Sequence, residues 1–178
     1  MTTAVVRRVT VADTAMARAL RLEMLADAPL AFIERIDEAA ARPHEEFRET
    51  LVQRAEGDGA AIFVAAADGR LVGQAGGWTP PGSTGVTVVF AVYLTPAWRG
   101  AGLLGRLVDA VAEWSVAAGR AVLELEVLST NHRAIRAYER LGFRDTGQRM
   151  RHPRIPLLSE LRMRRPAAAR PVPDERSE

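Results

Sequence analysis

Residues 86–105 constrain this chain more than any other stretch. Residues 86–94 form an unbroken apolar run rich in β-branched side chains, the pattern of a strand covered on both faces. Pro96 prevents that strand from continuing. Gly100, Gly102 and Gly105 follow, and residues 102–118 read as a helix that Gly119 closes as a C-cap. A strand buried on both faces needs helices above and below it. The expected architecture is therefore a layered α/β domain with a partly parallel sheet.

The rest of the chain supplies the other layers. Residues 5–9 read as a first strand, and Asp13 as the N-cap of a helix reaching about residue 26. Pro43 opens a second helix to about residue 55, where its missing N–H costs little. The period then switches to strands at 60–67 and 71–78, joined by a tight turn at Asp68 and Gly69. After the central helix come a strand at 122–128, a helix at 131–141, and two closing strands at 143–150 and 158–163. The predicted order is β-α-α-β-β-β-α-β-α-β-β. The 178 residues suit one domain, assigned to 1–165, with a disordered Pro-, Ala- and charge-rich tail at 166–178.

Composition removes several function classes. The chain has no cysteine, so a disulfide scaffold, a cysteine-bearing zinc site and a thiol nucleophile are excluded. His44, His132 and His152 are too scattered to suggest metal ligation. No apolar run approaches the roughly 20 residues of a membrane span, and the first residues lack a signal-peptide core. A cytoplasmic protein without membrane or metal is the expectation. Every basic residue is arginine, yet the formal net charge is only +2. That charge is too small to argue for nucleic acid, and the arginine clusters read as solvated edges.

The glycine loop points to a phosphate. A strand, a glycine-rich turn and a helix N-terminus offer free N–H groups and the positive end of a dipole, and Arg99 would add a charge-assisted contact. The loop lacks the Gly-Lys-Ser/Thr of a P-loop. Glu124 and Glu126 lie at a distance that leaves a dinucleotide site open.

A second segment narrows the choice. Asn131, Ala134, Tyr138, Gly142 and Phe143 resemble the Asn-x-x-Ala-x-x-x-Tyr-x-x-x-Gly-Phe signature of the GNAT N-acetyltransferase superfamily. Arg99, Gly100, Ala101, Gly102, Leu103 and Leu104 resemble its Arg/Gln-x-x-Gly-x-Gly/Ala signature, with the last glycine displaced by one place to Gly105. Both lie in the expected order and separation. The resemblance implies an acyl-CoA N-acyltransferase fold with the sheet splayed between its fourth and fifth strands, and acetyl-CoA as co-substrate. Val92, Tyr93 and Leu94 would then offer backbone to pantetheine. Residues Arg99 to Gly105 would hold the pyrophosphate, and Asn131 would meet the cofactor arm. A homodimer through a sheet edge is common for this fold.

Amine acetylation requires a base for the ammonium, a donor for the thioester oxygen and an acid for the leaving thiolate. Tyr138 lies two helical turns after Asn131, on the same face. Read alone it is a core tyrosine with its hydroxyl satisfied; the resemblance makes it the acid. Glu124 and Glu126 share one face of the fifth strand. The spacing of Glu126 from Asn131 and Tyr138 resembles that of the base in ribosomal-protein N-terminal acetyltransferases. Glu124 and a relayed water remain alternatives. On the acceptor side, Phe32, Glu34 and Trp78 are candidate lining residues for a small-molecule or peptide amine. Glu34 or Glu38 would attract a cation, whereas the arginines at 149–154 would favour an acid. The competing readings are a non-catalytic acyl-CoA-binding regulatory module on the same fold and a nucleotide or nucleic-acid binder.

Overall fold

The computed structural model describes residues 3–168. Its strands are β1 (Val5–Arg8), β2 (Ala60–Ala67), β3 (Arg70–Trp78), β4 (Val86–Leu94), β5 (Val122–Leu128), β6 (Arg144–Arg151) and β7 (Ser159–Pro166). Its helices are α1 (Thr14–Asp27), α2 (Ile36–Ala41), α3 (His44–Glu56), α4 (Leu103–Ala117) and α5 (His132–Arg140). All seven strands form one sheet in the order β1-β2-β3-β4-β5-β7-β6. Every pairing is antiparallel except β4 with β5. The expected mixed sheet is present. Among the described residues no helix is long and apolar enough to cross a membrane.

Two features differ from the sequence expectation. The short helix α2 was not anticipated. It is only six residues, and Arg35 begins it by donating its backbone N–H to Glu38 Oε2 at 2.9 Å. The last strand also runs further than expected. Pro166 ends β7, and the buried Ala167 donates its N–H to Ala121 O at 2.8 Å. Pro166 and Ala167 therefore extend the sheet's end, and 169–178 lie outside the described residues.

The core has two parts because the sheet is covered on both faces. Leu103, Leu107, Val108 and Val111 of α4 pack against Leu123, Leu125 and Val127 of β5, with Phe143 beneath α5. On the opposite face, Leu20, Met24 and Leu25 of α1 and Leu51 of α3 meet Ile62, Val64 and Tyr93. The alternation of β5 thus sends Leu123, Leu125 and Val127 toward α4. Glu124 and Glu126 face the side of α1 and α3.

Candidate active site

The site begins with a defect in β4. Gly73 pairs with Leu94 and Gln74 with Tyr93, but the next pair is Gly76 with Phe90. The extra residues bulge, and Ala91 adopts φ +50°. The buried Gln74 amide holds the bulge by donating Nε2–H to Ala91 O at 3.1 Å. Gly76 leaves room for Phe90, because a Cβ there would lie 2.6 Å from the ring.

Past the start of the two strands, β4 leaves β5. They pair only over Val86–Val88 and Val122–Glu124. The remainder of each strand, 89–94 and 125–128, has no ladder partner in the other. Backbone N–H and C=O groups on such facing edges need a partner. A cleft of about 1470 Å³ runs through this seam, ample for an extended ligand.

The glycine loop closes one end of the cleft. Gly100 (φ +86°) and Gly102 (φ +75°) both take left-handed backbone, and a Cβ on either would meet no atom within 4 Å. Glycine is needed at these two positions for conformation, not for space. Gly102 caps α4, and Arg99, Gly100, Gly102 and Leu104 line the cleft. Gly105 has a different job. It lies within α4, where an added Cβ would come 3.3 Å from Leu141 Cδ2, so it sets the spacing to the end of α5. Leu103 is buried in the core, and Ala101 is exposed beside the loop.

Arg99 is already engaged. Its Nε–H donates to Leu94 O at 3.0 Å, its terminal nitrogen bonds the Asp27 carboxylate, and its guanidinium lies 5.7 Å from the Tyr93 ring centre. It ties the end of β4 to the end of α1. The Tyr93 side chain turns away from the seam and its hydroxyl donates to Glu23 at 3.3 Å. Val92, Tyr93 and Leu94 still border the cleft.

Asn131 caps α5, its Oδ1 accepting the Ala134 N–H at 3.1 Å. Tyr138 follows on the same helix, half-buried at the cleft wall. Its ring meets Phe143 edge to face at 5.8 Å. Burial alone pushes its hydroxyl pKa up to about 12.

The carboxylates on β5 are paired by β7. Glu124 lies opposite Arg164 and Glu126 opposite Arg162. Glu124 is buried, accepts a hydrogen bond from Arg164 at 2.5 Å and lies 3.2 Å from Arg162 as an ion pair. Glu126 is more open and bonds Arg162 at 2.8 Å. Glu160 lies one step along the same face, half-buried in the cleft. Burial raises its pKa above the ordinary carboxylate range, as does the charge of Glu126, with His152 opposing. His152 accepts the Arg154 and Ile155 N–H groups on Nδ1 at 3.2 and 3.1 Å.

The residues expected on the acceptor side also differ in detail from the sequence reading. Phe32, Glu34 and Trp78 do line the cleft. Glu34, however, is held by Arg21 at 2.7 Å and by Arg42. Glu38 bonds Arg154 at 2.7 Å, a pair that joins α2 to the β6–β7 connection. Neither carboxylate is left as bare negative charge for a cation. Arg149 is likewise paired, with Asp145 at 2.7 Å. Among the cleft residues that went unnoticed in the sequence are Arg54, Glu160 and Arg162. The alternation of Glu160, Arg162 and Arg164 along β7, complementary to Glu124 and Glu126, was the available signal for two of them.

A family model described as the acetyltransferase (GNAT) family matches residues 24–143. No curated protein matches the sequence. Among solved structures, a GNAT-family acetyltransferase from Streptococcus pneumoniae superposes with a TM-score of 0.78 at 20% identity, over 92% of this chain and 98% of that one. A Salmonella typhimurium protein, described as an acetyltransferase with its cofactor acetyl-CoA, gives 0.74 at 19% identity over 97% and 98%. Spermidine N-acetyltransferase from Vibrio cholerae, solved with CoA and spermine, gives 0.73 at 15% identity over 93% and 96%. At these identities the likeness speaks for the fold.

Proposed function

The chain belongs to the acetyltransferase (GNAT) family, whose model spans two thirds of it, and from that premise we propose that it moves acetyl from acetyl-CoA to a primary amine by direct attack. The observation that carries this reading is the seam between β4 and β5, which ends at a helix N-terminus with two left-handed glycines. An extended thioester bearing a pyrophosphate fits both parts. The unpaired edge at 89–94 suits an amide-bearing arm, and the start of α4 suits the phosphates. Acetyl-CoA supplies an activated acetyl group there.

The residues then divide the work. The edge of β4 at Val92 to Leu94 binds and orients the arm through main-chain groups. Gly100 and Gly102 let the loop approach the phosphates, and Leu104 borders them. Arg99 is a positioning residue, because it fixes Leu94 and the end of α1. Asn131 fixes the start of α5 and thereby the direction of Tyr138. With a pKa near 12, that hydroxyl keeps its proton at neutral pH. An ordinary thiol titrates near about 8.5. Tyr138 therefore stabilises the thiolate by donating a hydrogen bond, without surrendering the proton outright.

Removal of the ammonium proton falls to the carboxylate pair Glu126 and Glu160, with Glu126 nearer the open side. The raised Glu160 pKa fixes the sign of the pH dependence. The rate needs the ionised form, so kcat/KM falls as pH drops through a pKa above the usual glutamate value of about 4.3. Glu160→Gln is expected to move this acid limb to lower pH, and Glu126→Gln to lower kcat by about 10²-fold. A Glu126→Gln protein with unchanged rate and unchanged limb would remove Glu126 from the role.

Binding and turnover test the whole reading. Acetyl-CoA should raise the melting temperature and release free thiol when amines are added. Desulfo-CoA should bind without turnover. No thermal shift and no heat with acetyl-CoA would overturn the proposal. Binding with no thiol release across a broad amine panel would assign the chain to a non-catalytic acyl-CoA-binding module.

A further inference from the structure

We propose that the acceptor is a small primary amine that also carries an oxyanion, a carboxylate or a phosphate, which Arg54 receives at the far end of the cleft. The inference rests on the acetyl-transfer reading and narrows its substrate class. It starts from a charge imbalance. Arg21, Arg42 and Arg54 all line the cleft, and Glu34 is the carboxylate among them. Both Arg21 and Arg42 bond Glu34. Glu46 reaches Arg42 from the exposed side at 3.7 Å.

Arg54 has no such partner. Among the described residues its guanidinium donates no hydrogen bond; its backbone carbonyl accepts from Arg8, and its head lies 5.4 Å from the Phe90 ring centre. Desolvation by burial lowers its pKa, and the like charges of Arg21 and Arg42 lower it further against the attraction of Glu34. A desolvated cation without a hydrogen-bonded counter-charge destabilises the empty fold. An anionic ligand removes that penalty. The guanidinium fork suits a carboxylate or phosphate in two-point contact.

The surroundings set the rest of the ligand. Phe32, Phe47, Leu51 and Phe90 line the cleft and belong to one apolar cluster, so the rest of the ligand is free to be apolar. A polyamine would bring like charge against Arg54 and lacks the anion.

Matched acceptors separate the outcomes. L-Phenylalanine, L-phenylalaninamide and phenethylamine differ chiefly in the carboxylate. O-Phosphoethanolamine and ethanolamine differ in the phosphate. With the full chain, we expect kcat/KM to be at least ~10-fold higher for an anionic member of one set than for its uncharged partner, as for a lost charge-assisted bond. Whichever set shows the preference identifies carboxylate or phosphate. Arg54→Gln should collapse that ratio toward one, while Arg54→Lys retains part of it. Calorimetry of the same acceptors with CoA present gives a readout that needs no turnover. Equal binding and equal turnover of charged and uncharged partners by the wild-type protein would overturn the proposal even if acetyl transfer is robust. Absent thiol release with preferential binding of the anionic member would instead count against the transferase reading and leave the anion site supported.

Discussion

Tyr138→Phe is expected to lower kcat by about 10²-fold, the usual loss of one preorganised donor to developing charge, while the KM for acetyl-CoA changes by less than about two-fold. The argument starts from position. Asn131 Oδ1 fixes the first turn of α5, and two turns later Tyr138 faces the seam. Its ring is held edge to face against Phe143, so removal of the hydroxyl oxygen leaves the ring in place. No hydrogen bond to a described side chain is lost, because burial alone accounts for the hydroxyl's raised pKa. The loss is then confined to the reaction. Steady-state kinetics at neutral pH would check it, with a more activated thioester as a second readout. A better leaving group needs less help, so the deficit should shrink with it. Unchanged kcat with acetyl-CoA would remove Tyr138 from the thiolate.

Phe143→Ala is expected to cost about 3–5 kcal/mol of stability, the range for deleting a fully buried large aromatic side chain. Phe143 has no exposed surface and lies where α5, β6 and the α4 face meet. Arg165 stacks 5.3 Å from its ring centre, while donating to Leu141 O at 2.9 Å and to Asp109 at 3.0 Å. The cavity would also remove the backing of Tyr138. Denaturant titration reads the stability directly. A loss under about 1 kcal/mol would mean that the site collapses around the missing ring. Any folded remainder should turn over more slowly than its folded fraction predicts.

Legibility of the sequence followed how local each feature is. The unbroken run of β4, the glycine loop and the spacing from Asn131 to Phe143 are contiguous, and they carried both the fold and the family. The bulge at Ala91 was not legible. Nothing in Val-Thr-Val-Val-Phe-Ala-Val-Tyr-Leu marks it, because the amide that holds it comes from Gln74 on another strand. The partner of Arg99 is Asp27, 72 positions away, and the partner of Glu38 is Arg154, 116 away. The ladder of Glu124 and Glu126 against Arg164 and Arg162 needed the strand order β5-β7-β6, which strand patterns do not specify. Glu34 was read as a lure for cations because its two arginines lie on other elements. The sequence displays which charges exist; the fold decides which of them remain uncompensated.

The three-rung junction between β4 and β5 makes this sheet two leaves on one hinge. One leaf is the meander β1-β2-β3-β4, whose strands pair with near neighbours in sequence except at β1. The other is β5-β7-β6, which is likewise built from one contiguous stretch. Helix α4 is the connecting segment and packs on both leaves. A boundary with so few ladder bonds is where local opening of a fold is expected to begin. The cleft lies along the boundary between them, where the sheet has only three rungs. Hydrogen exchange along 89–94 and 125–128 is then expected to be faster than along the fully paired β2 and β3, and to slow when a ligand fills the seam.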